Sequence, residues 1–373
     1  MSESDYMRRA IELAARGAGW TAPNPMVGAV IVKDGRIIGE GYHRRFGGLH
    51  AEREAIASLT ESAEGATIYV TLEPCCHHGH QPPCTDAILE NKIARVVIGS
   101  RDPNPLVAGK GAAILREHRV EVAEDCLREE CDALNPEFFR YITTKLPYVV
   151  VKYAMTLDGK IASRTGASKW ITGETAREHV HRMRGRYAAI LAGIGTVLAD
   201  DPMLNCRVPG AHQPVRIVVD SQLRIPLESR LVQTAKDFPL IIATAVNLTE
   251  NDTASVGKSA EKRKQLEKAG AEVRVLPGED GRVDLKALLE ELGERQISSV
   301  LAEGGGEIHE SLLRTGYVNH VMAYVAPILM GGRDAKSPIE GLGAENPNAA
   351  VKLANRRITE LGDDLLIEYD VTR

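Results

Sequence analysis

Two short segments carry side chains that make chemical sense only if the fold brings them together. They are His50-Ala51-Glu52, and Glu73-Pro74-Cys75 with Cys84 following after eight intervening residues. One His and two Cys suit a zinc ion, and three protein ligands leave the fourth tetrahedral position to water. Any fold for this chain must therefore place residue 50 beside residues 75 and 84. A helix is predicted to open at His50, with Ala55, Ile56 and Leu59 as its apolar run. A continuous apolar strand, Ala66–Thr71, leads toward Cys75, and a second helix begins near Pro82–Thr85, where proline suits the first turn. Both half-sites then lie at helix N-termini, whose positive dipole end is expected to favour a thiolate at Cys84 and lower its pKa.

Glu52 stands two residues past His50, close enough to the open position to handle a proton without ligating. His-x-Glu followed by Pro-Cys is the pattern of zinc-dependent nucleobase deaminases, so the predicted chemistry is hydrolysis of an exocyclic amine on a pyrimidine or purine ring. The competing reading is a closed structural zinc, because Cys76, His77, His78 and His80 offer further ligands. A structural site has no need for an acid two residues from its His, which favours catalysis. Deaminases of this class ordinarily carry Cys-x-x-Cys. The longer loop here, His77–Pro83, must wrap around something the short loop does not contact.

At 373 residues the chain exceeds one typical core, and two domains are expected. The first reads as a helix-covered α/β sheet. Residues 5–18 carry a helical stripe of Ile11, Leu13 and Ala14, and Val27–Val32 and Arg36–Tyr42 read as strands joined by a turn at Asp34-Gly35. Ala94–Gly99 is a further buried strand and Val120–Val122 a short one. Residues 126–146 form a mostly helical connector ending at Pro147, so the domains are placed at 1–146 and 147–373. The second is again α/β, with strands at Tyr148–Ala154 and near 188–193, 214–220, 239–244, 271–276 and 298–303. The polar stretch Asn247–Ala260 reads as a mobile loop. The second half holds no copy of the ligand set.

Hydrophobic content of 43% and charged content of 26% belong to a globular chain, and a net charge of −5 gives no general affinity for nucleic acid. No stretch approaches the roughly 20 apolar residues of a membrane span, and the polar N-terminus has no signal-like apolar region. Three of the six cysteines fall within Cys75–Cys84, which is metal-site usage in a reducing compartment. Cys126, Cys131 and Cys206 read as ordinary residues. A cytoplasmic location and small-molecule partners are expected, with neither nucleic acid nor membrane.

Ala192-Gly193-Ile194-Gly195-Thr196 and Glu303-Gly304-Gly305-Gly306 each follow a predicted strand. Glycines at such junctions let a phosphate approach backbone N–H groups and a helix N-terminus, although triple glycine also marks tight turns. Neither stretch fits the dinucleotide pattern G-x-G-x-x-G with its later acid.

Taken together, these residues resemble the bifunctional riboflavin-biosynthesis enzymes, a pyrimidine deaminase fused to a uracil reductase. In the first half the likeness rests on Asn24-Pro25-Met26-Val27-Gly28, Gly41-Tyr42-His43, His50-Ala51-Glu52, the Cys75-to-Cys84 loop and Arg101-Asp102-Pro103-Asn104-Pro105. In the second it rests on Lys152, Leu157-Asp158-Gly159-Lys160, Ser168-Lys169-Trp170-Ile171-Thr172, Gly195-Thr196-Val197 with Asp200 and Pro202, and Glu303-Gly304-Gly305.

The resemblance implies a cytidine-deaminase-like zinc domain followed by a dihydrofolate-reductase-like domain, with Zn2+ and NADPH as cofactors. His50, Cys75 and Cys84 would hold the metal and Glu52 would be the catalytic acid and base. Asn24, His43, His77, His80, Asp102 and Asn104 lie in motifs that line the family's substrate pocket, though each also suits a turn or cap. In the second half Ala154, Trp170, Thr196, Asp200, Gly305 and Gly306 would contact NADPH. Ser168, Arg184, Leu204, Arg207 and Glu303 would contact substrate, with an arginine fork suited to its 5′-phosphate. Lys152 is placed beside the substrate, and either Lys152 or Asp200 would assist opening of the ribose ring. Homo-oligomers are expected. The rivals are a deaminase whose second half has become a binding module, opposed by the Lys152, Asp200 and Glu303 set, and a zinc-stabilised nucleic-acid binder, opposed by the charge and by Glu52.

Overall fold

The computed structural model describes residues 1–79, 81–246 and 255–372, the side chains of 255–257 excepted. The chain divides into two compact units, Met1–Lys145 and Leu146–Arg373. The first runs α1 (Glu3–Ala15), β1 (Gly28–Lys33), β2 (Arg36–Tyr42), α2 (Ala51–Ala57), β3 (Thr67–Leu72), α3 (Cys84–Glu90), β4 (Arg95–Ser100), α4 (Lys110–Glu117), β5 (Glu121–Ala123), α5 (Arg128–Asp132) and α6 (Pro136–Thr144). The second runs β6 (Tyr148–Thr156), α7 (Glu174–Arg186), β7 (Ala189–Gly193), α8 (Ile194–Asp200), β8 (Val215–Val219), α9 (Arg230–Gln233), β9 (Leu240–Thr244), α10 (Ser255–Lys268), β10 (Glu272–Val275), α11 (Leu285–Glu294), β11 (Ser299–Glu303), α12 (Gly306–Thr315), β12 (Val318–Ala326), β13 (Lys352–Leu361) and β14 (Asp364–Thr372).

In the first unit five strands lie in the order β2-β1-β3-β4-β5. The hairpin β1–β2 turns at Asp34 (φ 50°) and Gly35 (φ 75°), the paired positive values of the turn that matches strand twist. Strand alternation sends residues to two cores. Ile31, Ile68, Val70, Val96 and Ile98 meet Ala51 and Ala55 of α2, Ile88 of α3 and Leu115 of α4. Val30, Val32, Tyr69 and Val97 meet Tyr6, Met7, Ala10 and Leu13 of α1 on the other face. Gly41 shows how closely α2 lies on the sheet: a Cβ there would stand 2.3 Å from the Ala55 backbone nitrogen. That approach fixes where α2 begins, and so where His50 sits.

The second unit is one nine-stranded sheet in the order β10-β9-β8-β7-β11-β6-β12-β14-β13. All neighbours from β10 to β12 are parallel, whereas β14 is antiparallel to both β12 and β13. The chain starts near the middle with β6, winds outward through β7 to β10, then returns to insert β11 between β6 and β7. Reversal at this point opens a crevice at the carboxyl ends of β7 and β11, where α/β sheets bind ligands. Both glycine segments sit there.

Two differences from the sequence reading stand out. Ser255–Lys268 is helix α10, so the end of the supposed loop 247–260 is helical; residues 247–254 lie outside the described residues. The reading also placed no strands after residue 303, where β12, β13 and β14 form one side of the sheet. β13 is exposed at nearly every position and bulges between Ala354 and Arg357, so it lacks the two-residue alternation that marks a half-buried strand.

Candidate active sites

His50 is the N-cap residue of α2, but its ring makes no capping bond and is free to face the loop after β3. Cys84 opens α3, and its backbone N–H donates to the Cys75 carbonyl at 3.0 Å, drawing the two ends of the long loop together. His50 Nδ1 lies 3.5 Å from Cys75 Sγ and 3.4 Å from Cys84 Sγ, and the three donor atoms fall within 4.8 Å of one another. Tetrahedral zinc with its usual bond lengths separates nitrogen and sulfur ligands by about 3.6 Å, so the set fits that ion without rearrangement. The thiols differ from the expectation. Cys84 hydrogen-bonds to Cys75 and is deeply buried, and both effects push its pKa up. Cys75 receives that hydrogen bond and faces His50, which bring it down to about 4 despite its own burial. Cys75 is the easier thiolate because it accepts the hydrogen bond of the pair, and at Cys84 that bond and burial together outweigh the helix terminus.

Glu52, in the first turn of α2, is only 3% exposed. Burial, followed by the neighbouring Cys75 charge, raises its pKa to about 7. It shares a cavity of about 220 Å³ with Asn24, His43, His77, Asp102 and Asn104. His43 Nδ1–H donates to the Leu49 carbonyl at 2.8 Å, so Nε2 must accept, and it receives the Asn24 amide N–H at 3.3 Å. Burial lowers the His43 pKa, keeping this tautomer neutral. Asp102 accepts from the Asn104 N–H at 2.8 Å and is pushed up to about 6, chiefly by burial. His80 lies outside the described residues.

Glu73, to which the sequence reading gave no role, accepts N–H bonds from Gly109 (2.9 Å) and Ala112 (3.2 Å). It thereby caps α4 and anchors the end of the loop that carries Asp102 and Asn104. Phe138 and Ile142 of α6 also line the cavity. Their only sequence signal was an amphipathic spacing shared with any core helix.

The second unit holds a cavity of about 760 Å³ at the crevice, bordered by Ser168, Thr196, Asp200, Gly305 and Gly306 and extending to Ser221, Arg224 and Arg282. Gly304 has φ +133°, and a Cβ there would meet Thr196 Oγ1 at 2.7 Å. Its N–H donates to His309 Nε2 at 3.1 Å, while His309 Nδ1–H donates to the Pro338 carbonyl at 2.9 Å. This buried His, which the sequence reading missed, pins the glycine turn at the start of α12. A cradle open at Gly195 and Gly305, walled by Thr196 and closed behind Gly306 by Glu340, has the character needed for a dinucleotide phosphate. Ser168 Oγ–H donates to Asp200 at 3.1 Å at one end of the cavity.

The remaining residues form a second cluster beside it. Arg184 holds Glu303 through Nε–Oε1 (2.7 Å) and Nη2–Oε2 (2.8 Å), and Lys152 Nζ stands 3.5 Å from Oε2. Glu303 is buried and the side chains of Lys152 and Arg184 are largely so, and β6 and β11 are adjacent strands that pair Lys152 with Glu303. Arg184 is therefore no solvated surface charge, and its fork is already engaged. Arg207 is exposed, and Leu204 is buried with φ 49°. Ala154 pairs with Tyr324 across β6 and β12, and Trp170 is exposed beneath the Arg177 guanidinium. The structure does not bring Ala154, Trp170, Leu204 or Arg207 to the cavity border.

A zinc-ligating deaminase fold carrying a buried acid, followed by a parallel-sheet unit with a dinucleotide-sized crevice, defines a fused deaminase and reductase. Residues 1–100 match the cytidine and deoxycytidylate deaminase zinc-binding region, and residues 147–367 match the RibD C-terminal domain. The chain is 55% identical over 371 residues to the riboflavin biosynthesis protein RibD of Actinobacillus pleuropneumoniae, covering 100% of this chain and 96% of that protein. To RibD of Aquifex aeolicus it is 41% identical, covering 98% of each. Among solved structures, Acinetobacter baumannii RibD superposes with TM-score 0.86 at 35% identity over 99% of each chain. A diaminohydroxyphosphoribosylaminopyrimidine deaminase/5-amino-6-(5-phosphoribosylamino)uracil reductase from Thermotoga maritima gives 0.83 at 40% identity, over 99% of this chain and 98% of that one. The chain belongs to the RibD family.

Proposed function

We propose that this chain performs two consecutive steps of riboflavin biosynthesis, divided between the units at about residue 146. The first unit replaces the 2-amino group of 2,5-diamino-6-(5-phosphoribosylamino)pyrimidin-4-one by oxygen. The second reduces the ribosyl side chain to ribityl, giving 5-amino-6-(5-phosphoribitylamino)uracil. The observation that carries this reading is the convergence of His50, Cys75 and Cys84 beside buried Glu52, in a chain similar to bifunctional relatives from end to end.

His50, Cys75 and Cys84 would hold zinc, which would supply a water that ionises near neutral pH. Glu52 takes a proton at its carboxylate and returns it to the departing amine, and a pKa of about 7 lets it do both. Asn24, with one amide N–H spent on His43, offers its carbonyl oxygen to an amino group of the substrate. His77, His80, Asp102 and Asn104 complete the contacts with that molecule.

NADPH supplies the hydride of the second step. Thr196, Gly305 and Gly306 would hold its phosphates and Asp200 would border the rest of it, whereas Ala154 and Trp170, which the resemblance also implies, lie away from this cavity. Ser168, Arg184, Leu204, Arg207 and Glu303 bind the substrate, with exposed Arg207 the better placed of the two arginines for a phosphate. Lys152 or Asp200 assists ring opening; burial lowers the Lys152 pKa and makes its proton easier to give up.

Among the described residues no helix is long and apolar enough to cross a membrane, and all six cysteines are free, which supports a cytoplasmic setting. Ile358 and Leu353 lie exposed on edge strand β13, which supports pairing between copies of this chain. The deciding experiment incubates the protein with the diaminopyrimidine phosphate, with and without NADPH. Product masses should show exchange of amine for oxygen alone, then addition of hydrogen only with NADPH. An unchanged substrate mass would refute the reading.

A further inference from the structure

The match to the deaminase zinc-binding region ends at residue 100, yet one wall of the cavity that holds Glu52 comes from well beyond it. Phe138 and Ile142 of α6 border that cavity together with Asn24, Glu52 and Cys75. Four residues apart on a helix, they share one face, one turn above the other.

The helix is also held in register with the opposite side. Asn135 is the N-cap residue of α6, but its side chain makes no capping bond there. Instead its Oδ1 accepts the Met26 N–H at 2.7 Å, and its Nδ2–H donates to the Met26 carbonyl at 2.8 Å. Both bonds are buried and span 109 positions of sequence, so one amide serves Met26 as a neighbouring strand would. Met26 lies between Asn24 and Val27, which both line the cavity. The clamp therefore ties the position of Phe138 and Ile142 to that of Asn24.

We infer that α6 is the specificity wall of the deaminase cavity: Phe138 and Ile142 pack against the face of the substrate ring, and Asn135 is a positioning residue that keeps them aligned with Asn24. The inference rests on the reading of the first unit as a pyrimidine deaminase. The division of labour is chemical. Asn24, Glu52 and Asp102 can address only the polar edges of a ring, whereas its faces need apolar or aromatic partners. Aromatic stacking grips a base in ground and transition states alike, so the wall acts on substrate binding more than on the proton transfers at Glu52.

The test uses the full chain with Phe138→Leu, which keeps an apolar side chain of good helix propensity but removes the ring face. Deamination kinetics on the diaminopyrimidine phosphate, zinc content and reduction of supplied deaminated intermediate are measured together. Expected are a KM raised roughly ten-fold, a kcat within about two-fold of wild type, and unchanged zinc and reduction. Asn135→Asp, which loses the N–H reaching the Met26 carbonyl, should move KM in the same direction. A wild-type KM in Phe138→Leu, or a loss confined to kcat or zinc content, overturns the wall. If that variant does not fold, Ile142→Ala, at a half-buried position, carries the same KM test with the same two outcomes. Failure of the wild-type protein to deaminate this substrate would instead overturn the reading beneath it.

Discussion

Arg184 grips Glu303 through two parallel hydrogen bonds of 2.7 and 2.8 Å, inside a unit where both side chains are nearly inaccessible to water. Lys152 completes the cluster, so one carboxylate balances two buried cations. Glu303→Gln removes the one negative partner that the two cations share among the described residues. Breaking such a pair costs about 3–5 kcal/mol, which chemical denaturation at neutral pH should register as a lowered midpoint for the second unit. An unchanged midpoint would show that the cluster is not held by charge.

The same cluster sets a pH dependence. Burial pushes Glu303 up, but Arg184 and Lys152 hold it lower, at about 2 against an ordinary 4.5. A depressed folded-state pKa stabilises the fold above the unfolded value and ceases to do so as protons are forced on. Wild-type stability should therefore fall between about pH 4.5 and pH 2, and Glu303→Gln should show a shallower decline over that window. Parallel urea titrations at several pH values measure the difference.

Glu52 lines the same cavity as His50 and Cys75 without joining the ligand set. Glu52→Ala should retain about one zinc per chain while deamination falls by roughly 10²–10⁴-fold. Metal analysis of the purified variant separates the roles, since loss of zinc would make Glu52 a ligand after all.

Cys75→Ser removes one of the three ligands, and chelation removes the metal itself. Either treatment should abolish deamination and leave NADPH oxidation with supplied deaminated intermediate largely intact. Loss of both activities in folded protein would contradict two separate sites.

Gly195 has no atom within 4 Å of where a Cβ would lie, yet it borders the larger cavity. Gly195→Ala should leave thermal stability unchanged or slightly raised, since it sits in helix α8. It should still weaken NADPH binding several-fold by fluorescence titration if phosphate approaches that backbone. Unaltered affinity would move the cofactor elsewhere in the crevice.

Much of the first site could be read directly along the chain. His50, Glu52, Cys75 and Cys84 are chemically distinctive, and the strand and helix signals around them placed each at a junction where it could ligate. The parallel core of the second unit was legible for a similar reason: buried strands such as Val149–Val151 and Val300–Ala302 are apolar runs too short to be helices. Pairings that depend on distant partners were not legible. Nothing near Arg184 or Asn135 in the chain points to a partner, because Glu303 lies 119 positions from the one and Met26 109 positions from the other. A lowered pKa at Cys84 was expected because a helix terminus is visible in sequence, whereas the Cys75 hydrogen bond and the burial that raise it are not. Residue chemistry and local periodicity are properties of the chain itself. Charge state, clamp partners and cavity walls depend on which surfaces lose water together, and only the folded arrangement decides that.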